Sequence, residues 1–223
     1  TVANFEAVIR AKQRSALWLA QTIAQSIKNS DKQACEKLNS ESPMQNKIDL
    51  FTGSHHGWKE QAGYSSEELN QYNWTVQNPW QFASFLKDKY QIEFLGPVIL
   101  VPENKHYSWK KAVNLVGLGD DSFWPIELNA SGKLDVNHLQ TLIEKVRQQQ
   151  RPILMVVSVA GTTEMGEIDP IDEFQDVLDQ YASRGIHIWH HIDAAYGGFF
   201  RTLEDLSAEA IGNDEAKALD AFG

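Results

Sequence analysis

Ile153-Leu-Met-Val-Val-Ser-Val159, followed at once by Ala160-Gly161-Thr162-Thr163, decides the fold. The run is apolar on both alternations and rich in β-branched side chains. That is the composition of a strand covered on both faces of a parallel sheet. It is far shorter than the ~20 apolar residues of a membrane-spanning helix. Working outward, Val98-Ile-Leu-Val101 is a second apolar run, Phe123 to Leu128 reads as extended, and Ile186 to Ile192 as a further strand. Helical patterns separate them. His106 to Leu118 is one, ended by Gly117 and Gly119. Asp135 to Gln149 is another, with Asp135 as candidate cap. A third opens at Asp169-Pro170 and closes at Gly185. Strand–helix alternation of this kind predicts an α/β fold, a mostly parallel sheet with helices on both faces and right-handed crossovers.

Upstream, residues 1–28 carry Val2, Phe5, Val8, Ile9, Ala16, Leu19, Ala20 and Ile23 at spacings of three and four, an amphipathic helix. Residues 29–95 are rich in Ser, Asn, Gln and Lys and are the hardest stretch to read. A helix is expected after Asn78 as cap and Pro79 in the first turn. The stretch is too aromatic for a disordered linker, so it is read as an elaboration packed on the domain.

The chain has 223 residues, a net charge of −10 and one cysteine. The length suits one large α/β domain. The acidic balance and the lack of a basic run argue against a nucleic-acid partner. Cys35 alone forms no internal disulfide, which points to a reducing cytoplasm, and no membrane segment or signal peptide is read. The opening Thr1-Val-Ala-Asn4 has no methionine and runs straight into helix, so the chain is expected to be part of a larger protein.

Ligands of parallel sheets bind at the carboxyl ends of strands. After Val101 comes Pro102-Glu-Asn-Lys-His106-Tyr-Ser108. After Val159 comes Ala160-Gly161-Thr162-Thr163-Glu164. After Ile192 comes Asp193-Ala194-Ala195-Tyr196-Gly197-Gly198. An imidazole, a Gly-Thr-Thr turn and a carboxylate followed by small residues therefore share one rim. The first helix adds free backbone N–H groups around Val2 and Ala3, suited to a phosphate. Singly, each has an ordinary explanation as a cap, a turn or a solvated side chain. Together, at successive strand ends, they predict a ligand site. Metal binding is not expected. In a strand, His190 and His191 point to opposite faces, and His55-His56 have no third ligand near in sequence. One of the two strand histidines is read as lining the core and the other as close to the site. Gln148-Gln149-Gln150 is read as a solvated helix end.

These residues carry a resemblance. His191-Ile-Asp193-Ala-Ala195-Tyr-Gly-Gly198 resembles the His-Val-Asp-Ala-Ala-Tyr/Trp-Gly-Gly motif of the pyridoxal-phosphate-dependent amino-acid decarboxylases, the group of glutamate, aromatic and bacterial tyrosine decarboxylases. Gly161-Thr-Thr163-Glu-Met-Gly-Glu-Ile-Asp169-Pro-Ile-Asp172, Lys105-His106-Tyr-Ser-Trp-Lys-Lys-Ala112 and Thr1-Val-Ala-Asn4 with Arg10-Ala-Lys12 resemble three further family segments, in the same order. The likeness covers roughly residues 1–20 and 96–200 and looks most like the bacterial tyrosine decarboxylases.

The resemblance implies a partial large domain of the aspartate-aminotransferase-like fold (type I), spanning residues 1–223. It also implies pyridoxal 5′-phosphate as cofactor, a cytoplasmic homodimer, and an amino-acid substrate that loses its α-carboxylate. Asp193 would pair with the cofactor's ring nitrogen, and His106 would stack on its ring. Ala195 would lie against the other face. Thr162 or Thr163 would sit near the 3′-oxygen, and Val2 and Ala3 would serve the phosphate. Ser, frequent in the family near Ala3, is absent. No lysine matches the one that holds the cofactor covalently; Lys217 lies in helix-like sequence. Decarboxylases of aspartate or glutamate, other enzymes of the same fold, and a non-enzymatic phosphate-binding module stay open as alternatives.

Overall fold

The computed structural model describes residues 2–36, 48–57 and 63–199. Four parallel strands form one sheet in the order β2-β1-β3-β4: β1 Val98–Pro102, β2 Phe123–Ile126, β3 Ile153–Val159 and β4 His190–Asp193. The α/β class expected from the alternation is the one observed. β3 is buried at every position, as its composition requires.

Each face of the sheet has its own apolar layer. Ile99, Val101, Met155 and Val157 pack with α1 (Val2–Glu36), α4 (Pro79–Tyr90) and α5 (Ser108–Leu115). Val98, Leu100 and Val156 pack with α6 (Val136–Gln148) and α7 (Ile171–Ala182). Alternate residues of one strand serve opposite layers because side chains alternate along a strand. On α1, Val8, Ala11, Leu19 and Ile23 are fully buried, and the helix runs eight residues beyond the expected Lys28.

Local signals place the helix starts. Asn78 accepts hydrogen bonds from the backbone N–H groups of Trp80 and Gln81, and Asp135 from those of Asn137 and His138, so both act as the caps their positions imply. Asp169 behaves differently. Its carboxylate accepts from Val159 N (2.6 Å) and Leu134 N (3.1 Å), tying the end of β3 to the loop before α6 rather than capping α7. Burial raises its pKa, opposed by those two hydrogen bonds.

The polar stretch between α1 and β1 contributes to the core. Ile48, Leu50, Trp74, Phe82 and Leu86 join the α1 layer, while Phe51 joins the opposite one. Two short helices, α2 (Leu50–Gly53) and α3 (Ser66–Asn70), lie within it. His55, just after α2, is wholly buried. Its Nδ1 lies 2.6 Å from the Phe51 carbonyl and its Nε2 3.1 Å from the Ile153 N–H. Its own carbonyl accepts the His187 N–H at 2.7 Å. His55 thus bonds the backbone of Ile153 at the start of β3 and of His187 ahead of β4, and β4 begins at His190 rather than at the expected Ile186. Gln150 also departs from expectation. Rather than being merely solvated, its Oε1 accepts the Leu50 N–H at 2.9 Å.

Candidate functional site

Three chain segments far apart in sequence meet at the carboxyl end of β4. Asp193, the last residue of that strand, is 9% exposed. Its Oδ2 accepts from Asn4 Nδ2 and from Trp109 Nε1, both at 2.9 Å. Asn4 lies in the first turn of α1 and Trp109 in the first turn of α5, and both are buried. An ionised carboxylate is acceptor-only, so two N–H donors match it. Both land on one oxygen. Oδ1 has no hydrogen-bond partner among the described residues and is left for a further donor.

His106 precedes α5. Its Nδ1 lies 2.8 Å from Ser108 Oγ and accepts the Ser108 backbone N–H at 3.3 Å. The imidazole thus does for α5 what a Ser or Asp cap does elsewhere, serving an N–H that the helix cannot. The ring of Tyr107 lies 4.2 Å from that of His106, and Lys111 Nζ sits 4.6 Å over the Tyr107 ring. Ser108 is fully buried and also receives Asn4 Nδ2 at 3.1 Å. Asn4 is therefore bonded to Asp193 on one side and, through Ser108, connected to His106 on the other.

The strand histidines divide as their alternation requires. His191 lies edge-on to Trp109, ring centres 5.1 Å apart, on the site's side of the sheet. Burial lowers its pKa, while Asp193 acts in the opposite sense. His190 faces α7, with Nε2 2.7 Å from Ser158 Oγ and Nδ1 3.0 Å from Gln175 Oε1. Burial pushes it down to about 4, which favours the neutral ring at this half-buried position.

Gly161 opens the loop after β3 with φ +87°, and a Cβ there would come within 3.0 Å of Gly197 N. This close approach, with the Gly197 N–H bonded to the Ala160 carbonyl (2.9 Å), sets the loop of β3 against the turn after β4. Thr162 Oγ1 accepts the Glu167 N–H at 3.0 Å, which orients the hydroxyl and leaves its proton to donate; Thr163 is exposed. Val2 and Ala3 occupy the exposed first turn of α1, one residue from Asn4, where backbone N–H groups lack helical acceptors. Ala195 is exposed in the turn after β4. Lys217 falls outside the described residues. Among those residues no cluster of three His, Cys, Asp or Glu side chains suited to a metal ion occurs, and no helix is long and apolar enough to cross a membrane.

Asn4, Ser108 and Trp109 sit inside the recognisable motifs, but their sequence context assigns them no role. The available signal is Asn4 itself, a polar residue one position from Phe5 and four from Val8 on the helix's apolar side.

Residues 87–205, more than half of the chain and including His106, Thr162, Thr163, Asp193 and Ala195, match the family model described as the pyridoxal-dependent decarboxylase conserved domain. The chain belongs to this family. An L-tyrosine decarboxylase of Levilactobacillus brevis is 41% identical over 104 residues, covering 47% of this chain and 17% of that protein. An L-2,4-diaminobutyrate decarboxylase of Acinetobacter baumannii is 31% identical over 129 residues, covering 56% of this chain and 24% of that protein. A crystal structure of mouse CSAD aligns with TM-score 0.43 at 28% identity, over 47% of this chain and 21% of that one. The matched segment therefore spans under a fifth of the length of these tyrosine decarboxylases.

The residues present fit the cofactor of the decarboxylase family. A buried carboxylate fixed through one oxygen has a second oxygen that could accept a pyridinium N–H. An imidazole is held in one orientation close by. The first turn of α1 also carries the asparagine that touches the carboxylate.

Proposed function

We propose that the protein carrying this chain is a pyridoxal 5′-phosphate-dependent decarboxylase of an aromatic, tyrosine-like L-amino acid. The observation that carries the reading is the buried Asp193 carboxylate, pinned by Asn4 and Trp109 at the end of β4 beside His106. Family membership supports the chemistry. The bacterial relatives near 40% identity, named L-tyrosine decarboxylases, support the substrate class.

When bound, the cofactor supplies an electron sink for the pair left behind as the α-carboxylate departs as CO₂. The chain's own residues then have separate tasks. Asp193 would accept the ring N–H through Oδ1, and a negative charge there would favour the protonated nitrogen. His106 would stack on the cofactor ring. Its Nδ1 accepts from Ser108, so Nε2 carries the ring proton and would donate a hydrogen bond toward the bound substrate or cofactor. Val2 and Ala3 donate backbone N–H groups to the phosphate, strengthened by the helix dipole. Thr162 is favoured over Thr163 for the 3′-oxygen, because its hydroxyl is already oriented by Glu167 N. Ala195 leaves room against the second ring face. The single cysteine and the family likeness support a cytoplasmic homodimer.

The test is product analysis with the full-length protein, pyridoxal 5′-phosphate and L-tyrosine, L-aspartate or L-glutamate in turn. The reading expects CO₂ and the amine, fastest from tyrosine. Preference for an acidic substrate overturns the substrate class; α-keto acid formation, or no turnover, overturns the decarboxylase reading.

A further inference from the structure

We propose that Asn4 is a positioning residue that couples the two cofactor-facing groups, fixing the Asp193 carboxylate and the His106 tautomer with the two hydrogens of one amide nitrogen. The inference rests on the functional reading above for what Asp193 and His106 face. The coupling itself rests on geometry alone.

Asn4 Nδ2 carries two hydrogens and has two acceptors, Asp193 Oδ2 at 2.9 Å and Ser108 Oγ at 3.1 Å. The second bond gives the chain of donors its direction. With an amide N–H pointing into its oxygen, Ser108 has its own hydroxyl proton free to donate, and the acceptor in reach is His106 Nδ1 at 2.8 Å. The Ser108 backbone N–H points at the same nitrogen. Two donors therefore converge on Nδ1, which must be the unprotonated nitrogen, and the ring proton resides on Nε2. Asn4, Ser108 and Trp109 are each under 5% exposed, so water does not compete for these bonds and each is worth more than it would be on the surface. Trp109 supplies a second, independent donor to Asp193 and makes no contact with Ser108 Oγ or His106 Nδ1 among the hydrogen bonds described.

This wiring predicts a pattern that a merely structural role would not produce. Asn4→Asp and Asn4→Leu remove both donated bonds, Ser108→Ala removes the branch to His106, and Trp109→Phe removes one donor to Asp193 while keeping the ring's bulk. Two readouts apply to the full-length protein. Histidine ¹⁵N resonances of the cofactor-free form report the His106 tautomer, and an equilibrium titration reports pyridoxal 5′-phosphate affinity.

The proposal expects wild-type His106 to be a single Nε2–H tautomer. Both Asn4 variants should show mixed tautomers and bind the cofactor about tenfold or more weakly. Ser108→Ala should mix the tautomers, and Trp109→Phe should weaken the cofactor about tenfold with the tautomer unchanged. Asn4 variants that keep the wild-type tautomer, or that bind the cofactor within twofold of wild type, overturn the coupling. If neither Asn4 variant folds, wild type and Ser108→Ala decide. An Nδ1–H ring in wild type, or an unmixed tautomer in Ser108→Ala, overturns the proposal. A wild-type protein that shows the Nε2–H tautomer but no cofactor binding overturns the functional reading instead.

Discussion

His55 holds the start of β3 through Ile153, its Nε2 3.1 Å from the Ile153 N–H and 2.9 Å from the Ile153 carbonyl. With Nδ1–H donating to the Phe51 carbonyl, Nε2 of the neutral ring accepts the Ile153 N–H, a backbone donor that in a wider sheet would pair with a strand. The contact spans 98 residues and fastens the long polar stretch between α1 and β1 to the sheet.

Replacing His55 by alanine leaves the Ile153 N–H buried without a partner and opens a cavity beside Phe51. The expected loss is about 3 kcal/mol, combining an unmade buried hydrogen bond with lost packing. Urea unfolding measures it, and a change below about 1 kcal/mol would show that the clamp is dispensable.

Acid sensitivity follows from the same residue. Burial pushes both His55 and His190 down to about 4. In the unfolded chain each takes up its proton near 6.5. Between pH 6.5 and 4 the unfolded state therefore binds more protons than the folded one, so stability falls as the pH is lowered through this window and levels off below it. Each group contributes at most about 1.4 kcal/mol per pH unit there, and half-buried His190 less than His55. A thermal-melt series from pH 7.5 to 4.5 should show the decline, and His55→Gln should make it shallower. Equal slopes in the two proteins would remove His55 as a cause.

Gly161 is the point at which the β3 loop and the β4 turn touch. Alanine there must adopt φ +87° and place its Cβ 3.0 Å from Gly197 N. The expected cost is about 1–3 kcal/mol of strain. The substitution also pushes the turn that carries Ala195 away from Thr162, so cofactor affinity should fall together with stability. Gly185→Ala serves as the comparison. It also has positive φ (+80°) but nothing within 4 Å of its Cβ, and it lies ahead of β4, at the opposite end of the strand from Asp193. It should lose stability alone.

Much of this molecule is legible in its amino-acid sequence, for physical reasons that differ from part to part. β3 is recognisable because a strand buried on both faces cannot contain a charge. Asn78 and Asp135 are recognisable as caps because their partners are two or three residues away. The three polar strand ends follow from topology. What stays hidden depends on distant partners. Asn4 looks like one polar position in a helix until Asp193 is placed 189 residues later, and Trp109 looks like core until its indole N–H meets the same carboxylate. His55 looks like a turn residue for the same reason. Asp169 sits where a helix cap belongs yet is drawn to Val159 N and Leu134 N, which no local rule anticipates.

The central claim is that Asp193 anchors a pyridoxal 5′-phosphate site. Its most direct test is an equilibrium titration of the cofactor into the full-length wild-type protein and its Asp193→Ala and Asp193→Asn variants, with thermal melts to confirm folding. The account predicts that both variants bind the cofactor at least about tenfold more weakly, since each loses a charge-assisted hydrogen bond to the ring nitrogen. Folded variants with wild-type affinity would contradict it.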